Sequence, residues 1–200
     1  QPFRYWRRRT ARHRSPHRQG HLGADRRPKT DPAHVGLAAQ FARHSIDRRY
    51  FAIVAGQPKT GAGTIDAPLA RSAVNRKKVA IVGEGRGKRA VTHWTLVEPL
   101  KRSAALVECR LETGRTHQVR VHMASIGHPL LGDVLYGGEP GAIGRQALHA
   151  WRLALRHPDG TGERAWQADP PADLCSAMQA CGIDPQAWRA GAGRPWRANP

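Results

Sequence analysis

Apolar residues in this chain come in short runs divided by turns that hold glycine or proline, a spacing that suits strands better than long helices. Tyr50-Phe51-Ala52-Ile53-Val54 is a continuous apolar run ended by Gly56 and Pro58, and it predicts a buried strand. Residues 77–82 predict a short strand, and the basic glycine loop 83–88 a hairpin turn. Residues 90–96 and 104–111 alternate well enough to predict two antiparallel strands. Residues 116–123 alternate valine with cationic residues and predict another strand, turning helical near Met123. Residues 146–155 predict one more, followed by a turn at Pro158-Asp159-Gly160. Helical signals are fewer. Asp31-Pro32 reads as an N-cap with proline in the first helical position. From there to His44, Val35, Ala38, Ala39 and Ala42 fall at helical spacing, with Leu37 and Phe41 close by. Residues 172–181 predict a final short helix. Residues 61–71 read as a turn-rich connection, and 184–200 as a loose tail. Many antiparallel-type strands with few helices predict an α+β domain.

A length of 200 residues suits one domain, here expected over residues 29–183. No run is long and apolar enough to span a bilayer, and no secretory signal is visible. Cys109, Cys175 and Cys181 are odd in number and form no CxxC pair, which predicts a reducing, cytoplasmic setting. Cys109 lies in an apolar strand pattern and reads as a core residue. The net charge of +18 points towards nucleic acid. Its distribution weakens that argument, because residues 1–29 hold ten Arg or Lys against the single acid Asp25. Half of the excess thus comes from one short end. Residues 1–28 show neither helical nor strand periodicity and read as an irregular basic arm.

The candidate chemistry centres on Gly114-Arg115-Thr116-His117-Gln118-Val119-Arg120-Val121-His122-Met123, continued by Gly132-Asp133 and Tyr136-Gly137-Gly138. A glycine turn leading into such a strand can bury one face and aim guanidinium and imidazole groups at a polyanion. A metal site built from His117, His122, His128 and His149 is not expected, because an odd spacing in a strand sends His117 and His122 to opposite faces. The loop 83–87 lacks the GK[ST] ending of a phosphate cradle. No helix-turn-helix or zinc pattern supports generic DNA binding.

With its continuation to Asp133, this run resembles the RluA class of pseudouridine synthases, closest to the large-subunit ribosomal RNA type. The resemblance is carried further by residues 47–56, by Gly63-Thr64-Ile65-Asp66-Ala67-Pro68-Leu69, by Lys88-Arg89-Ala90-Val91-Thr92-His93-Trp94 and by Ala147-Leu148-His149-Ala150, all in family order. It implies a mixed, mostly antiparallel sheet with flanking helices, incomplete at the N-terminus. It implies isomerisation of uridine in RNA with no metal or cofactor, by an essential aspartate acting on a base that has left its stack. Tyr50 matches the tyrosine that packs against the flipped base. Arg120 matches the arginine that pairs with the aspartate, whose ionised form it would favour. Val119 matches the aliphatic pocket residue, and Arg115, His117 and Gln118 fall to substrate binding. Arg48, Arg49, Arg76, Lys77, Lys78, Arg86, Lys88 and Arg115 would hold RNA phosphates. The expected partner is RNA, with a monomeric protein and no membrane. Read from spacing alone, Tyr50 remains an ordinary strand aromatic and Arg120 a solvated strand cation.

One part of the pattern is missing. The family aspartate lies in a string close to PGIVHRIDKDTSG, followed by an apolar strand and a segment like AKTD. Here Lys29-Thr30-Asp31 stands without an HRxD upstream. The genetic code suggests why. When codons are read from their second base, Trp6 before Arg7 gives glycine, His13 before Arg14 isoleucine or threonine, and Gln19 before Gly20 only lysine or arginine. Arg18 before Gln19 permits aspartate. The shifted frame allows the whole family string through Arg27. The expectation is that residues 1–28 are out of frame and that the chain as written is an inactive synthase. The rival is a non-catalytic RNA-binding protein that keeps the fold.

Overall fold

The structure is a computed structural model that describes residues 6–7, 22–23, 27–28, 31–99, 104–141, 143–182, 184 and 186. Most of the basic arm 1–28 and nearly all of the tail 184–200 therefore lie outside the described residues. Three two-residue strands come first: β1 (Trp6–Arg7), β2 (Leu22–Gly23) and β3 (Arg27–Pro28). Then follow α1 (Asp31–Ala42), β4 (Asp47–Ala55), β5 (Ala62–Asp66), β6 (Leu69–Arg71), β7 (Val79–Ile81), β8 (Val91–Pro99) and β9 (Ala104–Leu111). The chain continues through α2 (Gln118–Ser125), a 3₁₀ turn (Val134–Tyr136), β10 (Leu148–Arg156), β11 (Glu163–Gln167) and α3 (Ala172–Ala180).

One sheet organises the molecule, in the order β11-β10-β4-β9-β8-β5, with antiparallel neighbours throughout. β2 adds a parallel contact, Leu22 and Gly23 beside His149 and Ala150 of β10. This is the α+β architecture expected. The continuous apolar run of β4 follows from its central position, since a strand covered on both faces has no need to alternate. Phe51 and Ile53 face one core with Leu106, Trp151, Leu174 and Met178 of α3, and Phe51 stacks on Trp151 at 5.0 Å. Ala52 and Val54 face the other core with Val107, Cys109, Leu130 and, from α2, Val119 and Met123.

Four expectations are corrected. Residues 116–123 form a helix from Gln118, not a strand. Gln118, Val119, Arg120, Val121, His122 and Met123 are all buried, so the first six residues of the helix leave no solvent face for periodicity to reveal, and the alternating valines imitate a strand. Residues 61–71 are not mere connection, because β5 pairs with β8 and β6 with β7. Gly63 there serves packing, since a Cβ would stand 2.8 Å from Nε1 of Trp94. The loop 83–87 follows β7 and does not join two paired strands; it returns the chain so that Lys88 bridges Leu69. In α1 the buried stripe is Ala33 and Leu37, while Val35 is 67% exposed and Phe41 is also exposed. The edge strand β11 gave no signal, because its residues are exposed apart from half-buried Trp166.

Candidate functional site

The site grows from the start of α2. His117, just ahead of the helix, takes a left-handed conformation (φ 56°), a strained choice for a residue other than glycine. Its ring is thereby brought to Tyr136, with Nδ1 2.9 Å from the phenol oxygen. That oxygen also accepts the Val79 N–H at 2.8 Å, which ties β7 to the site. Burial is the leading cause in both groups: it lowers the His117 pKa, with Arg120 adding to the effect, and raises that of Tyr136. Both therefore favour the neutral form.

Arg120 stands on the first turn of α2, 9% exposed. Its Nε and Nη2 donate to the two carboxylate oxygens of Asp133, at 2.6 and 2.7 Å. Asp133 is 2% exposed. The Tyr136 ring covers the guanidinium, with its centroid 4.9 Å from the central carbon. Two glycines make this clamp possible. A Cβ on Gly138 would collide with the Leu130 carbonyl, and one on Gly132 (φ 73°) with the Arg145 carbonyl. Arg120 has five N–H donors, and Asp133 takes the Nε–Nη2 edge. Among the described residues no partner occupies Nη1.

Gln118 points into the protein interior. At 2% exposure, its Oε1 accepts Thr113 Oγ1–H and the Arg115 N–H at 2.7 and 2.9 Å, while its Nε2 donates to Val91 O and Thr92 Oγ1 at 2.9 and 3.0 Å. It is thus a fully satisfied buried amide. One turn on, His122 lies between Thr92 Oγ1 and the Ala67 carbonyl, at 2.9 and 3.1 Å. His128 Nδ1 lies 2.8 Å from Ala55 O, and His149 Nε2 2.8 Å from Ala168 O. The four histidines thus go to separate partners, although the strand geometry first used to part His117 from His122 does not hold.

Tyr50, on β4, is half-buried and packs on the core that holds Val119. Tyr50 and Val119 therefore share one face of the sheet with α2. Arg115 donates from Nε to the Arg89 carbonyl at 3.0 Å. Arg49 points to the α3 face with Phe51, two residues on. There it meets Asp47 at 3.0 Å and Glu108 at 3.5 Å, and Asp47 also meets Arg110 and Arg152. Arg76, Lys77, Arg86 and Lys88 are exposed, and Lys78 Nζ lies 6.0 Å from the Tyr136 ring. Sequence reasoning quoted Asp133 and Tyr136 without giving them a role. Their signal was the glycine on either side of them.

The model of the family described as RNA pseudouridylate synthase matches residues 29–125. The ribosomal large subunit pseudouridine synthase D of Zymomonas mobilis is 59% identical over 155 residues, covering 73% of this chain and 48% of that protein. The enzyme of the same name from Escherichia coli K12 is 41% identical over 170 residues, covering 78% of this chain and 51% of that protein. The chain thus spans about half the length of these curated relatives. Among solved structures, human RNA pseudouridylate synthase domain containing 1 aligns with a TM-score of 0.62 at 22% identity, over 86% of this chain and 76% of that one. That likeness is one of fold.

Proposed function

The chain belongs to the RNA pseudouridylate synthase family, and on that premise we propose that it carries the catalytic domain of an enzyme isomerising uridine to pseudouridine in large-subunit ribosomal RNA. The reaction breaks the N1–C1′ bond, turns the base and forms C5–C1′. C5 loses a proton and N1 ends with one, so the change is an isomerisation without oxidant or cofactor. The observation that carries this reading is Arg120. It is a buried cation with one edge fixed by Asp133 and with no partner at Nη1 among the described residues, on the sheet face that also holds Tyr50 and Val119. That open end suits the carboxylate of an attacking aspartate, and the adjacent cation would keep the acid ionised. Tyr50 offers a flat surface for the extruded base.

The aspartate itself is missing from the chain as written. We read residues 1–28 as out of frame, supported by the onset of the family match at Lys29 and by the HRxD string permitted in the shifted frame. The test uses RNA tritiated at uridine C5, which releases label to water as C5–C1′ forms. A chain with the HRxD segment restored in frame releases tritium, and Arg120→Met in that chain lowers the rate by 10²-fold or more, on the order of the loss of one electrostatic partner. RNA binding without tritium release after restoration would favour the second reading, an RNA-binding protein that keeps the fold, which the missing carboxylate by itself supports.

A further inference from the structure

The acids around the sheet are shared among most of its arginines. Arg49, Arg110 and Arg152 meet Asp47, Arg89 meets Asp66 and Glu112, Arg120 meets Asp133, and Arg145 meets Asp173. Arg48 has no such partner among the described residues. Its Nε is shut off from solvent and makes no hydrogen bond. Its Nη2 donates to the Glu112 carbonyl at 2.9 Å, and its guanidinium lies 5.4 Å from the centre of the Phe41 ring of α1. Its Nη1 occupies the space where a side chain at residue 114 would go, so Gly114 is needed for Arg48 to reach this place. A carbonyl, a ring and a glycine thus hold a cation that no acid neutralises among the described residues. Burial first, and the like charge of Arg115 with it, lowers the Arg48 pKa, while Tyr50 acts in the opposite sense.

A half-buried guanidinium with no acidic partner is costly to desolvate. Such a group becomes favourable when an anion arrives to share its donors. We propose that Arg48, aided by Arg115, is a binding site for one phosphodiester group of RNA, beside the nucleotide whose base packs at Tyr50. The inference rests on the reading that the chain acts on RNA. Tyr50 lies two residues along the same face of β4, and Arg115 directly follows Gly114, so the two cations flank the approach to the base position. A guanidinium fork matches the paired oxygens of a phosphate. The exposed lysines and arginines of the 72–88 region differ in kind, since water already satisfies them.

The test compares the full chain with Arg48→Met, which keeps an apolar stem against Phe41 but removes the charge. A fluorescent single-stranded RNA containing uridine is titrated over a range of salt, and each protein is also melted with and without inorganic phosphate. The substitution is expected to weaken RNA binding about tenfold and to make the slope of log K against log salt shallower by about 0.7, the share of one phosphate on a single strand. Its melting temperature is expected to stay level or to rise. Unchanged affinity and slope would overturn the proposal. So would weaker binding together with a lower melting temperature, which would assign Arg48 to holding the fold. Phosphate that protects the parent but not Arg48→Met, with the RNA slope unaltered, would mark a free-phosphate site and overturn the RNA assignment. A parent that binds no RNA would overturn the broader reading, and the phosphate arm would still report whether Arg48 takes the anion.

Discussion

Asp133 sets the direction in which Arg120 can act. With Nε and Nη2 engaged, the guanidinium cannot swing, and its remaining end is fixed in space. Asp133→Asn leaves a buried cation without its anion and should cost about 3–5 kcal/mol in urea unfolding. The double change Arg120→Met with Asp133→Leu should recover most of that loss, because an apolar pair carries no desolvation cost. His122 makes a separate prediction. Burial lowers its pKa in the folded protein, so the unfolded chain takes up a proton first as pH falls below about 6.5. Stability is therefore complete at neutral pH and declines on acidification through that value, with a contribution of at most about 1.4 kcal/mol per pH unit. His122→Gln should flatten the decline between pH 7 and 5 when unfolding is followed by tryptophan fluorescence. At this scale the sequence exposed residue identity better than residue role. Arg120 and Tyr50 were visible as candidates through the motif. That Gln118 is an internal strut was not, because only packing decides which way a polar side chain on a buried helix points.

The elements around the site differ in how they tolerate change. The loop from Leu130 to Gly138 is compact, with Asp133 N–H on the Leu130 carbonyl and Gly138 N–H on the Asp133 carbonyl. Gly138→Ala places a methyl group against the backbone and should cost about 2–4 kcal/mol, among the larger effects expected of a single change. Loss of the Arg120 clamp should accompany it. In α1, Leu37→Ala should cost about 2–5 kcal/mol as a core truncation, whereas Val35→Lys should stay within about 0.5 kcal/mol. The contrast follows from 5% exposure at Leu37 against 67% at Val35. Thermal melts of the two variants check it, with the order reversed if the face predicted from spacing were the buried one. α1 itself was legible from Asp31-Pro32, but its buried face was not. Alanines at helical spacing carry little contrast, and the tie was broken by Leu153 and Leu155 of the sheet, which pack with Leu37. α2 was misread for a related reason: a short helix whose first six residues are all buried leaves no solvent face along that stretch.

Across the whole molecule, the strands of the sheet were mostly legible, since the central ones are rich in aliphatic residues and bounded by turns. β5 and β11 lie at its two ends, where exposure dilutes the pattern. The unusual region is the outer edge of β10. β11 covers it from Arg152 onwards, while at His149 and Ala150 it meets, among the described residues, the two residues of β2. In the reading proposed above, an apolar strand encoded in the shifted frame would extend that contact, and burial of such an edge is stabilising. The in-frame form should therefore melt several degrees higher, at about 2–4 °C for each kcal/mol gained.

The most direct test of the account is pseudouridine formation on large-subunit ribosomal RNA, measured side by side for the chain as written and for the chain with its first 28 residues restored to the shifted frame. The account predicts no pseudouridine from the first and sustained formation by the second. Pseudouridine made by the chain as written would contradict it.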